Sequence, residues 1–366
     1  MKKFTIIIAA LALVCFSVPA MADWSFYGSA RVKTFWVHDD FGDQTSGPFT
    51  NRTSGDDSDS DLQWDLQSNS RIGAKAKADA VSGQIELGLK GTTGDVDVGT
   101  RRVYGVWDFG AGKLKVGKDY TPVDQFISGQ VFDEDWGLLG SGTMYGSRVG
   151  QIALSFGGFE VALITPRSDT IAWASGGDDD VDEYLPKLEA KYSMAFDAFN
   201  FTIMGGAQTY EVQDVLSGVD ASTNDIDVTS YLIGGDVGFN FGPGYIKGAV
   251  SYAVNGGNAG WTAGAGSWDG DDDIDDTDTF QAALVAGLKV SDMLSFEAGG
   301  GYRVDDSDAT GADKDKQWAA YIQSVIVLAP GVYVIPEIGY IDYMDDSAGV
   351  DEGDTTYGGI KWQIDF

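Results

Sequence analysis

The sequence has 366 residues, of which 56 are acidic and 24 basic, so its formal net charge is −32. A surface this acidic repels nucleic acid, and no basic patch interleaved with aromatic residues opposes that conclusion. Fifty glycines and only eight prolines indicate many tight turns rather than a disordered chain. The length allows one large all-β domain or two ordinary domains.

Residues 1–22 have the pattern of a secretory signal peptide. Two lysines precede an apolar stretch that ends near Ala20, and Ala20 and Ala22 form an A-x-A cleavage site. The alternative, an N-terminal membrane anchor, needs a spanning helix of ~20 residues, and the apolar stretch is short for that. We therefore expect residues 1–22 to be cleaved and residues 23–366 to form a single domain.

After this leader, apolar and polar residues alternate along most of the chain. A period of two places successive side chains on opposite faces of a β-strand. Many of the alternating stretches are long, as a tilted membrane-crossing strand requires. The sixteen predicted strands are 23–37, 61–79, 84–91, 98–109, 112–118, 148–157, 159–166, 186–196, 199–211, 227–240, 244–255, 279–290, 293–304, 316–328, 332–344 and 355–366.

The connections between these strands are short at one end and long at the other. Brief turns such as DAVSG, FGAG and FGPG close one end. At the other end only 92–97 is brief. The longer polar connections are 38–60, 119–147, 167–185, 212–226, 255–278, 305–315 and 345–354. This asymmetry is typical of outer-membrane barrels, so we predict an all-β fold: a transmembrane antiparallel up-and-down β-barrel of sixteen strands.

A soluble β-sandwich or solenoid is the alternative all-β fold. Its strands would be about five or six residues long, and its apolar face would carry bulkier core residues. Here the apolar faces mix Leu, Ile and Val with Ala and Gly, which suits lipid contact. Aromatic residues cluster near the predicted strand ends, as expected of belts at two lipid–water interfaces.

The last predicted strand, 355–366, ends on an aromatic residue. Ile360, Trp362, Ile364 and Phe366 fall on one of its faces. In hydrocarbon every backbone N–H and C=O needs a partner within the protein. We therefore expect this strand to pair with the first one and close the sheet.

The pattern resembles that of the Gram-negative general diffusion porins, which are sixteen-stranded and trimeric. The resemblance covers the whole mature chain and is most specific in YGGIKWQIDF (357–366) and in TRRVYGVWDFGAGKLKVGKDYTPVDQFISGQ (100–130). In that family the barrel-assembly machinery recognises a terminal Phe on an amphipathic strand. The resemblance therefore implies that Trp362, Ile364 and Phe366 form the assembly signal.

The resemblance also implies a constriction. In these porins the third long loop follows a Gly-basic-acidic-aromatic element, similar to Gly117–Tyr120 here, and folds into the lumen. It implies that 119–147 is this inward-folded loop. Two features depart from the family: VFDEDWGLLGSG replaces the acidic-aromatic loop tip of the enterobacterial porins, and the second long loop, which latches onto a neighbouring subunit there, is very short at 92–97.

Charged residues are expected on both sides of this constriction. The loop carboxylates are Asp119, Asp124, Asp133, Glu134 and Asp135. By alternation, the lumen-facing basic residues of the wall are Arg31, Lys33, Arg71, Lys75, Lys77 and Arg102. By position, Arg31, Arg71 and Arg102 best match the basic row of the family. Opposed charges orient water and decide which ions enter; alternatively, the basic residues only solubilise the wall and pair with nearby acids.

Most of the remaining acidic residues lie in runs within long loops, for example 176–183 and 345–354. A solvated surface is the simplest interpretation, and bridging by divalent ions is the second. The segment 269–280 fails as an EF-hand, because it lacks the glycine at position six and has Phe280 in place of the bidentate Glu. Cys15, the only cysteine, lies in the leader. We therefore expect no metal site and no cofactor.

The predicted function is a water-filled outer-membrane channel for passive diffusion of ions and small hydrophilic solutes. A channel selective for anions or organic acids is the first alternative; the basic wall favours it and the acidic loops oppose it. An enzyme would need His38, the only histidine, as its base, and no nucleophile motif supports one. A structural or adhesive barrel plugged by its loops is the third alternative.

The expected partners are outer-membrane lipid and lipopolysaccharide, the barrel-assembly machinery, small hydrophilic solutes and two further copies of the chain. The homotrimer is implied by the resemblance. Small residues on the predicted lipid face, Gly28, Ala30, Ala74 and Ala76, would allow flat contact between barrels.

Overall fold

The computed structural model describes residues 22–41, 58–91, 96–168, 180–216, 223–270 and 272–366. The predicted leader lies outside these residues except for Ala22, so its cleavage stays a prediction. Within the described ranges, no helix has the length and hydrophobicity needed to cross a membrane.

The described chain consists almost entirely of β-strands. They are β1 (Asp23–Asp40), β2 (Ser58–Leu66), β3 (Ser70–Ala78), β4 (Val81–Gly91), β5 (Val96–Asp108), β6 (Lys113–Tyr120), β7 (Arg148–Phe156), β8 (Phe159–Ile164), β9 (Asp180–Asp182), β10 (Lys187–Ala195), β11 (Phe199–Leu216), β12 (Thr223–Phe241), β13 (Gly244–Val254), β14 (Ser267–Trp268), β15 (Ile274–Asp275), β16 (Thr277–Ser291), β17 (Leu294–Ser307), β18 (Asp315–Ala329), β19 (Val332–Asp342) and β20 (Asp354–Asp365). A 3-10 helix covers Gly256–Ala259, and a single left-handed turn covers Phe132–Asp135.

Eighteen of these segments form one antiparallel sheet, and β14 and β15 form a separate hairpin. β2 and β3 pair with successive parts of β1, and β9 and β10 pair with successive parts of β11, so the barrel has sixteen strands. β20 pairs with β1 from Ser29↔Asp365 to Asp40↔Asp354. The backbones of Gly28 and Phe366 exchange two further hydrogen bonds. The prediction of a closed sixteen-stranded barrel is therefore confirmed.

The two faces of the sheet differ as the alternation predicts. On β12, Ile233 is 60 % exposed, whereas its neighbour Leu232 is 4 % exposed. On β19, Ile338 is exposed and Glu337 is buried. The outer face therefore presents apolar side chains to the surroundings, as a membrane-spanning barrel must.

The predicted strand 61–79 is broken in the structure. It is interrupted between β2 and β3 at Gln67, Ser68 and Asn69. These polar residues have low strand propensity, and all three form hydrogen bonds with the loop that follows β6. The break therefore provides polar groups for that loop.

The predicted patch of small residues on the lipid face is only partly present. Ala74 is 3 % exposed, and a Cβ atom on Gly28 would lie 2.4 Å from the ring of Phe366. The ring of Phe366 covers Gly28, whereas alternation predicts that Gly28 is in open contact with lipid.

Part of the predicted outer loop 255–278 contacts the inner face instead. Trp261 is 3 % exposed, and its Nε1 donates to Glu189 Oε1 on β10 at 2.8 Å. Trp261 and Ala259 of this loop supply apolar surface that is buried against the wall of the barrel. The resulting lumen cluster consists of Val123, Met144, Met204, Leu232, Ala253, Ala259 and Trp261.

Candidate functional site

Residues 121–147, called the inner loop here, connect β6 to β7 and contact distant strands of the barrel. Gln125 Nε2 donates to the carbonyl oxygens of Gly235 on β12 and Val250 on β13, at 2.9 and 3.2 Å. These two bonds attach the loop to the wall far from its own strands in sequence. Asp124 ties the loop to itself, because its carboxylate accepts backbone N–H groups within the loop, and burial raises the pKa of this carboxyl well above its usual range.

Two buried carboxylates hold the middle of the inner loop. Glu337 on β19 accepts the backbone N–H groups of Val131 and Phe132, at 2.7 and 3.0 Å. Glu297 on β17 accepts the N–H of Gly129 at 2.7 Å. Glu297 also accepts two tyrosine hydroxyls, and Glu337 accepts one. Several donors directed at one carboxylate offset the free-energy cost of burying it.

Aromatic packing adds to this attachment. The ring of Phe132 stacks on Tyr357 of β20, with centroids 3.7 Å apart, and meets the edge of Phe35 of β1 at 5.4 Å. Phe35 and Val37 lie on the inner face, where alternation predicts polar residues. They are apolar because the inner loop, rather than water, covers them.

The turn after Phe132 directs two acids at the wall. Asp133, Glu134 and Asp135 all have positive φ angles, 47°, 68° and 63°, which is a costly conformation for residues other than glycine. Ion pairs with three basic side chains offset the free-energy cost of this conformation. Asp135 pairs with Arg31 at 2.6 Å and Lys361 at 2.8 Å, and Glu134 pairs with Lys33 at 3.0 Å.

Two carboxylates on the wall of the barrel form ion pairs with further basic residues. Glu86 on β4 lies 2.9 Å from Arg101 and 3.8 Å from Arg71. Asp119, at the end of β6, lies 2.7 Å from Arg102 and pairs also with Lys115.

With the loop acids and Glu160, these groups form four separate sets of ion pairs, which we call together the basic wall. Its cations are Arg31, Lys33, Arg71, Arg101, Arg102, Lys115, Lys191 and Lys361, and its carboxylates are Glu86, Asp119, Glu134, Asp135 and Glu160. Eight cations thus pair with five carboxylates, so cations outnumber carboxylates among these ion pairs.

Arg101 is a member of the basic wall that alternation assigns to the lipid side. The register between β4 and β5 shifts by one residue, with Glu86 opposite Arg102 but Leu87 opposite Thr100. This β-bulge gives β5 one extra residue, so Arg101 and Arg102 both reach inner-face acids. The sequence carries a signal for it, because an arginine on the lipid face of a barrel strand is costly.

Not all of the predicted constriction residues belong to the basic wall. Lys75 and Lys77 are exposed near the short turn after β3, where Lys75 lies 5.4 Å from the ring centre of Tyr27. Asp133 is exposed and forms no ion pair with any described residue. The roles assigned to these residues stay predictions.

A chamber of about 360 Å³ separates the inner loop from the basic wall. Its polar lining includes Arg71, Arg101 and Arg148 on the barrel, with Glu134 and Asp135 on the loop. Four aromatic side chains complete it: Tyr120, Phe126, Trp136 and Tyr145. The chamber thus combines guanidinium groups with flat apolar surfaces.

His38 has a serine neighbour. Its Nδ1 lies 2.8 Å from Ser60 Oγ, and the two residues face each other across β1 and β2. Within the described ranges no carboxylate pairs with His38. The pair is a cross-strand contact between exposed side chains rather than a triad.

A family model described as Gram-negative porin matches residues 9–359. The chain belongs to the Gram-negative porin family. No curated protein shows a significant sequence match.

Solved structures of porins share the fold. The outer membrane channel DcaP of Acinetobacter baumannii superposes with a TM-score of 0.73 at 18 % identity, over 95 % of this chain and 99 % of that chain. The anion-selective porin from Comamonas acidovorans has a TM-score of 0.56 at 13 % identity, over 94 % and 100 %. The trimer form of OmpT from Vibrio cholerae has a TM-score of 0.56 at 15 % identity, over 94 % and 99 %.

Family and fold together place this porin in the outer membrane as a channel for diffusion. This family and this fold are those of channel proteins rather than of enzymes. The predicted family, fold and location are therefore confirmed.

Proposed function

We propose that this porin conducts ions and small hydrophilic solutes passively, through a path that the inner loop narrows. The observation that carries the proposal is the attachment of the loop to strands around the barrel. It is bound to β12 and β13 at Gln125, to β19 at Val131 and Phe132, and to β1 and β20 at Asp135. A loop held at so many points limits the cross-section open to solutes.

The charges at this narrowing act on permeant ions directly. Glu134 and Asp135 are in contact with Arg31, Lys33 and Lys361, so much of the acidic charge of the loop is compensated. What remains is the excess of cations on the basic wall. Charged rows of this kind decide which ions enter a pore.

Anion selectivity is a second candidate, and the ratio of eight cations to five carboxylates favours it. The porin from Comamonas acidovorans is anion-selective, which is consistent with this fold hosting such a channel. The acidic outer loops oppose it, because they attract cations to the channel mouth.

We further propose that the protein forms a homotrimer, as the trimeric OmpT does. Trp362, Ile364 and Phe366 are 46 %, 53 % and 73 % exposed on the outer face, where the assembly machinery could recognise them. Outer-membrane lipid and lipopolysaccharide would contact the same face. Gel mobility before and after boiling tests the trimer, with a species of about three chain masses expected before boiling.

Planar-bilayer recordings with purified protein test the channel. We expect current in KCl, and flux of neutral solutes that rises linearly with concentration. The double variant Glu134→Gln/Asp135→Asn removes two loop charges and should move the reversal potential in a KCl gradient towards chloride selectivity. The matched control is Asp292→Asn, an exposed acid at a short turn. An unchanged reversal potential in the double variant would show that the loop does not line the path.

A further inference from the structure

Two large aromatic side chains in the chamber are left exposed. Phe126 and Trp136 are 55 % and 43 % exposed, although both belong to the inner loop and not to the outer face of the barrel. Contact with lipid explains exposed aromatics on the outer face, but it does not explain these two. Exposed apolar surface at the wall of a cavity is typical of a ligand-binding site.

The aromatic rings of the chamber leave surface available. Tyr120 and Phe126 meet at 5.1 Å with 77° between their planes, and Phe126 and Tyr145 at 6.1 Å with 59°. Neither pair is stacked, so these rings do not cover one another face to face. Arg102 and Arg148 lie over the ring of Tyr120, so the surface left for a flat ligand is that of Phe126 and Trp136.

The charge available to a ligand in this chamber is positive. Its two carboxylates, Glu134 and Asp135, are already bound to cations of the wall. Arg71 reaches Glu86 only at 3.8 Å, because that carboxylate is held more closely by Arg101.

Arg148 is the least neutralised cation of the chamber. Within the described part of the chain it forms no ion pair, and its partner is Tyr120, through the hydroxyl at 3.3 Å and the ring face at 5.2 Å. A guanidinium held by a tyrosine keeps donors for an anion.

We propose that this chamber is a binding site for small aromatic carboxylates. The carboxylate would be bound by Arg148 and Arg71, which offer paired N–H donors, and the ring would lie against Trp136 and Phe126. The volume of about 360 Å³ lies within the range of about 300–1,000 Å³ that is typical of small-molecule sites. The proposal rests on the proposed function, since the ligand enters through the water-filled path.

Other ligand classes fit the chamber less well. A small anion without a ring, such as acetate, would use the arginines but not the exposed rings, and an aromatic amine would be repelled by the excess of guanidinium groups. An aliphatic carboxylate of equal size would lack a flat face. These three classes therefore serve as comparison ligands.

Benzoate is the probe, and two measurements follow it with purified full-length protein. One is the KCl current in a planar bilayer as benzoate is added, and the other is calorimetric titration in detergent. We expect saturable reduction of the current, with binding at the same concentrations. Acetate and benzylamine should show no saturation, and cyclohexanecarboxylate should bind more weakly than benzoate.

Two variants locate the site. Arg148→Gln should raise the half-saturating benzoate concentration about 10- to 100-fold, because a hydrogen bond to a charged group contributes ~1.5–3 kcal/mol. Trp136→Leu keeps an apolar side chain without the flat face and should raise it several-fold. The control is Lys289→Gln, an exposed residue at a short turn. Folding of each variant is checked by heat-modifiable gel mobility.

The possible failures can be told apart. If folded wild-type protein carries no KCl current, the proposed channel function is wrong. If it carries current but benzoate neither binds nor saturates, or if Arg148→Gln binds benzoate as the wild type does, the site is wrong. Equal affinity for cyclohexanecarboxylate and benzoate would contradict the role of the flat rings.

Discussion

The two halves of the barrel interior differ in what covers the wall. Along β1–β8 the inner face carries most of the basic wall, to which β10 adds Lys191 and β20 adds Lys361, and the chamber lies between this wall and the inner loop. Along β10–β13 the inner face is covered by the lumen cluster, in which Val123 of the inner loop and Trp261 pack on Met204 and Leu232. One half carries charged side chains, and the other is packed like a protein core.

This difference suggests a way in which loops packed inside a wide barrel leave a narrow path. Two loops fill the side where the wall is apolar, and Thr262 N–H donates to the carbonyl of Tyr145 at 3.1 Å, which joins them. We propose that solutes pass along the charged side. Selectivity should depend on the charged half and stability on the packed half, and each variant below tests that division.

The largest expected effect on stability is at Lys187, whose side chain is fully buried in the packed half. Its Nζ lies 2.9 Å from the carbonyl of Ala259 and 3.5 Å from Glu189. Lys187→Met should lower the free energy of unfolding by about 3–5 kcal/mol, because Glu189 is left as an uncompensated buried charge. Urea unfolding in detergent measures this change.

The double variant Lys187→Met/Glu189→Gln is the control for the buried charge, and part of the stability should return. The reversal potential in a KCl gradient should stay at the wild-type value in both variants. A shift in selectivity would show that the packed half also conducts.

The next effect is expected at Glu337, which anchors the inner loop. Glu337→Ala leaves the N–H groups of Val131 and Phe132 without their acceptor, at a cost of ~1–3 kcal/mol each. The loop should detach from β19, and the single-channel conductance should rise. Glu183→Ala, at an exposed outer position, is the matched control. Conductance equal to that of the wild type would contradict the anchoring role.

A smaller effect is expected where the inner loop lies directly against a glycine of the wall. A Cβ atom on Gly301 would lie 1.9 Å from the carbonyl oxygen of Ser141, so Gly301→Ala forces the loop away and should cost about 1–3 kcal/mol. Gly99→Ala is the control, because no atom lies within 4 Å of its added methyl group. Equal unfolding midpoints for the two variants would show that the loop is not packed on β17.

The smallest effect is expected at Lys75 and Lys77, which alternation assigns to the constriction. Both are exposed near a short turn, away from the inner loop. Lys75→Gln and Lys77→Gln should each change stability by less than about 0.5 kcal/mol and leave the reversal potential unchanged. A change in selectivity comparable to that of Glu134→Gln/Asp135→Asn would place these lysines in the path after all.

The barrel itself could be predicted from the sequence because hydrocarbon imposes a simple rule. Every strand must alternate and every backbone group must pair, so period and turn length determine strand number and closure. Alternation also places Arg31, Lys33, Arg71 and Arg102 on the inner face, where the structure finds them in ion pairs.

The rest depends on local departures from that rule. The bulge that turns Arg101 inward shifts the alternation by one residue, and its one signal in the sequence is an arginine that strict alternation would place against lipid. Trp261 is read as an outer-loop residue, and Phe35 is an unexplained apolar residue on the polar face, because the sequence does not show that loops cover the inner wall. Long-range loop packing is set by contacts between residues far apart in the chain, which periodicity does not encode.

The bulge in β5 has a wider consequence. In a regular strand only every second side chain points into the barrel. This limits the number of charged side chains that a pore wall can carry along its axis. By inserting one residue, this barrel places the guanidinium groups of two consecutive residues on its inner face without adding a strand. Ion preference can therefore change through a single insertion or deletion in a wall strand, while the number of strands and the outer diameter remain the same.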